Sequence, residues 1–414
     1  MPTQSLIVSS LVNYVKQRKD VEDAFNKAFS TAAATGILAK YQIHTLDDYF
    51  AFYETLLTWK PCENANGTLV YEKLCLFYFV LDQWPVAELQ TAVTPAAGWT
   101  WLSQWIINYA QELGKFLDTK DSFDSTTFET FKAAKHYHME DYPIPNPMWK
   151  TFNEFFSRKI DLNKRPIGGE GDNNVICMPA DSAYAGFWPI DEYSDTDFTI
   201  KGIPWNISQL LESTIYADRF KGGQFMHAYL HPYDYHRQHA PVGGTVLEAK
   251  VLPGLCYLEV TVTTDGNGEP KMVPRRRLAK HAGIADSETS GDSNNLSGSG
   301  NILLDGDTKN DLFMPDSAGY QFKQARGMII IDSGPKLGLV GVLPIGMAQV
   351  SSVVLTVQPG NILKKGDEIS YFQMGGSDCI VIVEKKANVK FDPPQNPPKP
   401  YHARQQIGTA NPTA

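Results

Sequence analysis

The chain has 414 residues, 43% hydrophobic and 20% charged, with 32 Gly and 26 Pro. That composition excludes collagen-like and wholly disordered proteins and leaves room for about two to three domains. The formal charge of −9, from 37 Lys+Arg against 46 Asp+Glu, argues against a nucleic-acid binder, whose footprint is basic.

Residues 1 to about 140 read as helical. The clearest stripe is Trp101, Leu102, Trp105, Ile106, Tyr109, Leu113, Phe116 and Leu117, spaced by three and four along one face. Leu69 to Leu81, and Leu46 to Trp59 behind a Thr45 N-cap, follow the same period. Residues 1–145 carry 11 Lys+Arg against 17 Asp+Glu, a net of −6, which is not an obvious docking surface for anionic lipid. The run Pro143-Ile144-Pro145-Asn146-Pro147 removes donors and restrains the residues before each proline, so a domain boundary is expected at 145/146.

Beyond it the texture changes to short β-branched runs separated by Gly, Pro and Asp: Gly243 to Leu252, Leu255 to Thr263, Gly327 to Asp332, Leu337 to Leu343, Val350 to Val357 and Cys379 to Val383. The predicted class is therefore α+β, a helical domain at 1–145 followed by a mainly β domain at 146–392. Within the latter, residues 264–311 are rich in Gly, Ser, Asn and Asp and read as a flexible insertion, with Arg275-Arg276-Arg277 and Lys280 as a solvated basic run. Residues 393–414, with Pro393-Pro394 and Pro397-Pro398, read as an extended or disordered tail.

Cys62, Cys75, Cys177, Cys256 and Cys379 are widely spaced and form no CxxC pair, as expected of free thiols in a reducing compartment. No basic stretch followed by an apolar core opens the chain, and the longest apolar run, Leu74 to Leu81, is far short of the roughly 20 residues that span a bilayer. The expectation is a soluble cytoplasmic protein without a transmembrane segment, peripheral membrane association being the alternative.

Three segments could carry chemistry. In His231-Pro232-Tyr233-Asp234-Tyr235-His236-Arg237-Gln238-His239, the imidazoles of His236 and His239 titrate nearest neutrality and can accept and return protons; a polar turn before a strand would use the same residues. In Gly375-Gly376-Ser377-Asp378 two glycines free the backbone before a hydroxyl, yet a hairpin turn has the same composition and the GxSxG context of a hydrolase elbow is absent. In Pro179-Ala180-Asp181, Asp181 could orient a histidine or cap a turn. No ligand cluster supports a metal site.

Taken in order, Phe152 to Arg158 with Arg165-Pro166-Ile167, Pro179-Ala180-Asp181, Lys201-Gly202, Asp234 to Gly244, Gly346-Met347, Lys365 to Glu368 and Phe372 to Ser377 resemble the phosphatidylserine decarboxylase family, through roughly residues 148 to 390. Residues 1–145 resemble the helical extension of a soluble branch that includes fungal L-tryptophan decarboxylases.

The resemblance implies a self-made cofactor. Ser377 would attack the Gly376 carbonyl, the chain would part into 1–376 and 377–414, which stay associated, and Ser377 would become a pyruvoyl group flanked by Gly375 and Gly376. It implies His239 as the base with Asp181 fixing its tautomer, His236 as the donor of a proton to the substrate, and a Schiff base between the pyruvoyl ketone and a substrate α-amine. Where the family usually continues with Ser or Thr, this chain has Asp378, expected either to attract the substrate ammonium or to be a tolerated turn residue. The acidic helical region favours a free L-amino acid, such as an aromatic one, over phosphatidylserine as substrate. A non-catalytic binding protein on the same scaffold, or a serine hydrolase using Ser377 and His239 on an uncut chain, are the rivals.

Overall fold

The structure is a computed structural model that describes residues 5–91, 98–190, 198–200, 203–205, 210–212, 214–258, 260–274, 301–302, 312–313, 324–347, 352–374, 376–395 and 397–412. Gly375, Lys201-Gly202 and the basic run at 275–280 lie outside them, and Ser377 is located by its backbone alone.

The architecture is α+β, with helices first and strands after Val175. The helix Trp101–Leu117 starts at Thr100, whose hydroxyl accepts from Ser103 N, and buries Leu102, Trp105, Ile106, Tyr109, Leu113 and Leu117. Leu46–Leu56 begins at a reciprocal capping box of Thr45 and Asp48, two backbone donors satisfied at once. Leu69–Phe79 completes the three helices that periodicity foretold. Among the described residues, no helix is long and apolar enough to cross a membrane.

An eight-stranded sheet dominates the rest, in the order Ile362–Leu363, Gly244–Leu252, Arg326–Asp332, Leu339–Met347, Gly376–Val383, Gln224–Leu230, Ser182–Pro189 and Pro400–Tyr401, every neighbouring pair antiparallel. Its side chains alternate between two apolar layers. Cys379, Val381 and Val383 join Met226, Ala228 and Leu230 in a large cluster that also holds the helical core, Tyr235 and Phe372. Ile380 and Ile382 face the other way, onto Phe225, Trp188, Leu343 and Ile345. A small sheet of Val353–Leu355, Glu368–Phe372 and Arg237–His239 lies on the side of the larger cluster.

Two expectations are corrected. The segment 393–414 is not an unstructured tail: Pro400–Tyr401 edges the large sheet, and Gln406–Ala410 pairs with both Val175–Cys177 and Val389–Phe391. The supposed insertion begins as an ordered hairpin, Val260–Thr264 with Pro270–Pro274. It docks on the helices through Val260 N to Asp82 Oδ2 at 3.0 Å and the Lys40–Glu269 ion pair.

Candidate functional site

Thr151 caps the short helix Phe152–Phe156 and thereby sets Phe156 against His236. The two rings stack with centroids 3.9 Å apart, and Phe372 meets the imidazole edge-on at 6.3 Å. The fully buried His236 places Nε2 3.3 Å from the Pro232 carbonyl, which accepts from that nitrogen in the tautomer that carries the proton there. Burial first, and the nearby Arg158 charge second, push its pKa down to about 3. The chain leading to the serine is tied here: Phe372 N donates to His236 O, and Met374 N donates to Asn153 Oδ1 at 3.1 Å.

His239, 2% exposed, donates from Nδ1 to the Gly366 carbonyl at 2.7 Å, which leaves Nε2 as the acceptor for Tyr235 Oη at 3.0 Å. Burial lowers its pKa, the Gly366 bond opposing and the Arg404 charge reinforcing the shift. Gly366 has φ +85°, and a Cβ there would sit 2.9 Å from Arg404 Nε, so glycine is required where that carbonyl turns toward the histidine.

The tautomer of His239 is thus set by Gly366 and not by Asp181, which corrects the expectation. Asp181 is gripped by the Arg165 fork, Nε to Oδ1 at 2.9 Å and Nη2 to Oδ2 at 2.6 Å, and accepts from Ala403 N at 2.7 Å. Burial alone would raise its carboxyl, but His402, Arg165 and the Ala403 amide outweigh it and hold the group below the usual carboxylate range. Pro179 O accepts from His239 N at 2.7 Å, so the segment is beside the histidine even though the carboxylate is turned elsewhere.

Tyr235, His239, Lys159, Lys364, Glu368 and Arg404 line part of a cleft of about 670 Å³. Gly376 and Ser377 open the strand Gly376–Val383, with Ser377 in register between Gly346 and Leu230. Asp378 does not reach the cleft. It is fully buried, on the face of Ile380 and Ile382, with its Oδ2 3.2 Å from His227 Nε2, because a single step along a strand reverses the side chain. The expected contact with a substrate ammonium is therefore corrected. Gly366, Arg165 and His227 carried no role in the sequence, and Tyr235 was visible only as a neighbour of the histidines.

The family model for phosphatidylserine decarboxylase matches residues 152–409. "Phosphatidylserine decarboxylase proenzyme 2" of Oryza sativa subsp. japonica is 26% identical over 69% of this chain and 37% of its own length. "Decarboxylase iboD" of Amanita muscaria is 25% identical over 67% and 75%, and "L-tryptophan decarboxylase" of Psilocybe cyanescens is 22% identical over 67% and 61%. The match takes in about a third of the rice relative and a fifth of a Schizosaccharomyces pombe one. With the matched segment covering more than half of the polypeptide and holding both histidines, Asp181 and the Gly376–Ser377 pair, the chain belongs to the phosphatidylserine decarboxylase family.

Proposed function

We propose that the chain cuts itself between Gly376 and Ser377, converts Ser377 into a pyruvoyl group and decarboxylates a free L-amino acid, releasing CO2 and an amine. The observation that carries this reading is the Gly376–Ser377 pair at the head of a central strand, inside the family match, with the upstream chain tied to His236 and Asn153. The residues suit the group: glycine precedes the serine, and His239, buried and with an acceptor nitrogen, stands on the small sheet that packs over the Cys379, Val381 and Val383 face of the same strand.

In the cut, Ser377 Oγ adds to the Gly376 carbonyl carbon and the Ser377 nitrogen leaves, so the amide becomes an ester. Loss of the Ser377 Cα proton then expels the Gly376 carboxylate, and water releases ammonia to leave the ketone. His239, neutral at neutral pH, is the proton acceptor at Nε2, with the Tyr235 hydroxyl on that nitrogen as the relay. Asp181 stays ionised and, through Ala403 N–H, holds the 402–405 turn against the cleft. The pyruvoyl ketone supplies an electrophile for the substrate α-amine and a sink for the electron pair left by CO2. His236 is assigned the return of a proton to the substrate Cα, for which its Nε2–H must leave Pro232 O.

The cleft carries Lys159, Lys364 and Arg404 beside Glu170 and Asp367, charges of both signs that suit a zwitterion, and similarity to an L-tryptophan decarboxylase supports an aromatic one. The second reading, phosphatidylserine, is supported by the rice and fission-yeast names. A denaturing gel with mass spectrometry tests the cut: two chains, the smaller starting at residue 377, against one for Ser377→Ala. An intact wild-type chain overturns the mechanism. Carbon dioxide release from tryptophan, from other amino acids and from phosphatidylserine vesicles then separates the substrates.

A further inference from the structure

The helix Phe152–Phe156 is built onto the helical region from its first residue. Phe152 N, an amide that no earlier turn can satisfy, donates to Ser122 Oγ at 2.9 Å. That hydroxyl is fully buried and donates in turn to Leu117 O and Thr119 O, where the helix Trp101–Leu117 ends. Phe155 stacks on Phe123, one residue on, with centroids 4.8 Å apart. The second residue of the short helix is Asn153, 3% exposed, and its Nδ2 donates to Oδ1 of Asp118 at 2.9 Å. Asp118 directly follows the longer helix, and its own amide is bonded back to Gly114 O.

The other end of the same side-chain amide reaches the segment before the proposed cut: Asn153 Oδ1 accepts from Met374 N at 3.1 Å. A carboxylate accepts and a backbone N–H donates, so one way round of the amide serves both partners and the other serves neither. Met374 stands between the strand Glu368–Phe372 and Gly376, two residues from each. Gly375 and Gly376 bring no side chain to restrain the chain, so the direction of the Gly376 carbonyl depends, on its upstream side, on where Met374 is held. On its downstream side Ser377 is held by the two neighbouring strands. A displacement of about 1 Å between an attacking and an attacked group can cost about 10²-fold in rate.

We infer that Asn153 is a positioning residue for the Gly376–Ser377 bond, with Asp118 of the helical region holding its amide the right way round, so that the helices take part in the cut. This inference rests on the proposed self-cleavage. The test follows the appearance of two chains from the full-length polypeptide over time by gel and mass spectrometry, with the melting temperature of each variant measured on a Ser377→Ala background. Asn153→Asp, which sets two carboxylates against each other, is expected to slow cleavage by about tenfold or more while melting within a few degrees of its parent. Asp118→Asn, which keeps an acceptor oxygen, is expected to cost less than about threefold. Combining the two exchanges carboxylate and amide, and is expected to bring the rate back to within about threefold of wild type. Cleavage of Asn153→Asp at the wild-type rate overturns the inference, as does a double variant as slow as the single one, or a loss of rate no larger than the loss of folded chain. Should Asn153→Asp fail to fold, Asp118→Lys at this exposed position decides: the ammonium would draw Oδ1 and turn Nδ2 toward Met374 N, slowing the cut, and cleavage at the wild-type rate overturns the inference. A wild-type chain that stays intact overturns the cleavage reading itself, and this inference with it.

Discussion

The two ring nitrogens of His239 are fixed in different states, one donating to Gly366 O and the other accepting from Tyr235. His239→Ala therefore removes an acceptor that is already uncharged at neutral pH, and cleavage should slow by about 10²- to 10⁴-fold, the usual worth of a positioned base. A time course of the two chains checks it. For His236 the folded pKa, near 3, lies below the ordinary value of 6.5. The stability contributed by keeping it neutral is complete above about pH 6.5 and is lost as pH falls toward 3, by about 1.4 kcal/mol per unit. On the uncut Ser377→Ala background, urea unfolding at pH 6.5 and pH 5 should cost the parent about 2 kcal/mol more than the His236→Phe variant. The histidines are legible in the sequence because His, Pro, Tyr and Asp crowd one short segment. Gly366 is not, because it acts through a backbone carbonyl 127 residues away. Asp181 was legible as a carboxylate that could orient a histidine or cap a turn, but not by its partner, since Arg165 outcompetes a neutral imidazole for it.

At the scale of elements, three- and four-residue spacing located the helix Trp101–Leu117, and apolar β-branched runs between turn residues located the strands Gly244–Leu252, Arg326–Asp332 and Leu339–Met347. It misjudged the C-terminal segment, because prolines at 393, 394, 397 and 398 hid the strand-forming Gln406–Ala410 beyond them. That strand joins two others, with Ile407 fully buried. Ile407→Ala should cost about 2–5 kcal/mol, as truncation of a buried aliphatic side chain does, and urea denaturation of the Ser377→Ala chain measures it. A tail without structure would show no change. Pairing was not legible either: Gln406–Ala410 bonds to residues more than 200 positions earlier, and nothing in a local pattern encodes that.

Across the whole molecule, the strand Gly376–Val383 lies between Leu339–Met347 and Gln224–Leu230, with four strands on one side and three on the other. Asp181 and Ala403 add a buried hydrogen bond from residues on either side of the proposed cut. After cleavage the two chains should run together in native size-exclusion chromatography at any salt concentration and part only in denaturant; a small chain lost under native conditions would contradict this placement. The helical character of the first part of the chain was legible, but its sharing of one continuous apolar cluster with the β region was not, because contact between distant segments leaves no period in either.

The central strand is also the part whose delivery depends on connectivity. In the uncut chain three residues separate it from the strand Glu368–Phe372, so the sheet closes within one molecule. With the proposed cut made between residues 376 and 377, an unfolded large chain would have to capture that strand from solution, and closure would become a bimolecular event that dilution defeats. Heat inactivation of such a cut form would then be a matter of rate, not of equilibrium, and cooling would not restore it. The finished protein would be a relic of its precursor, a structure that can be kept but not remade.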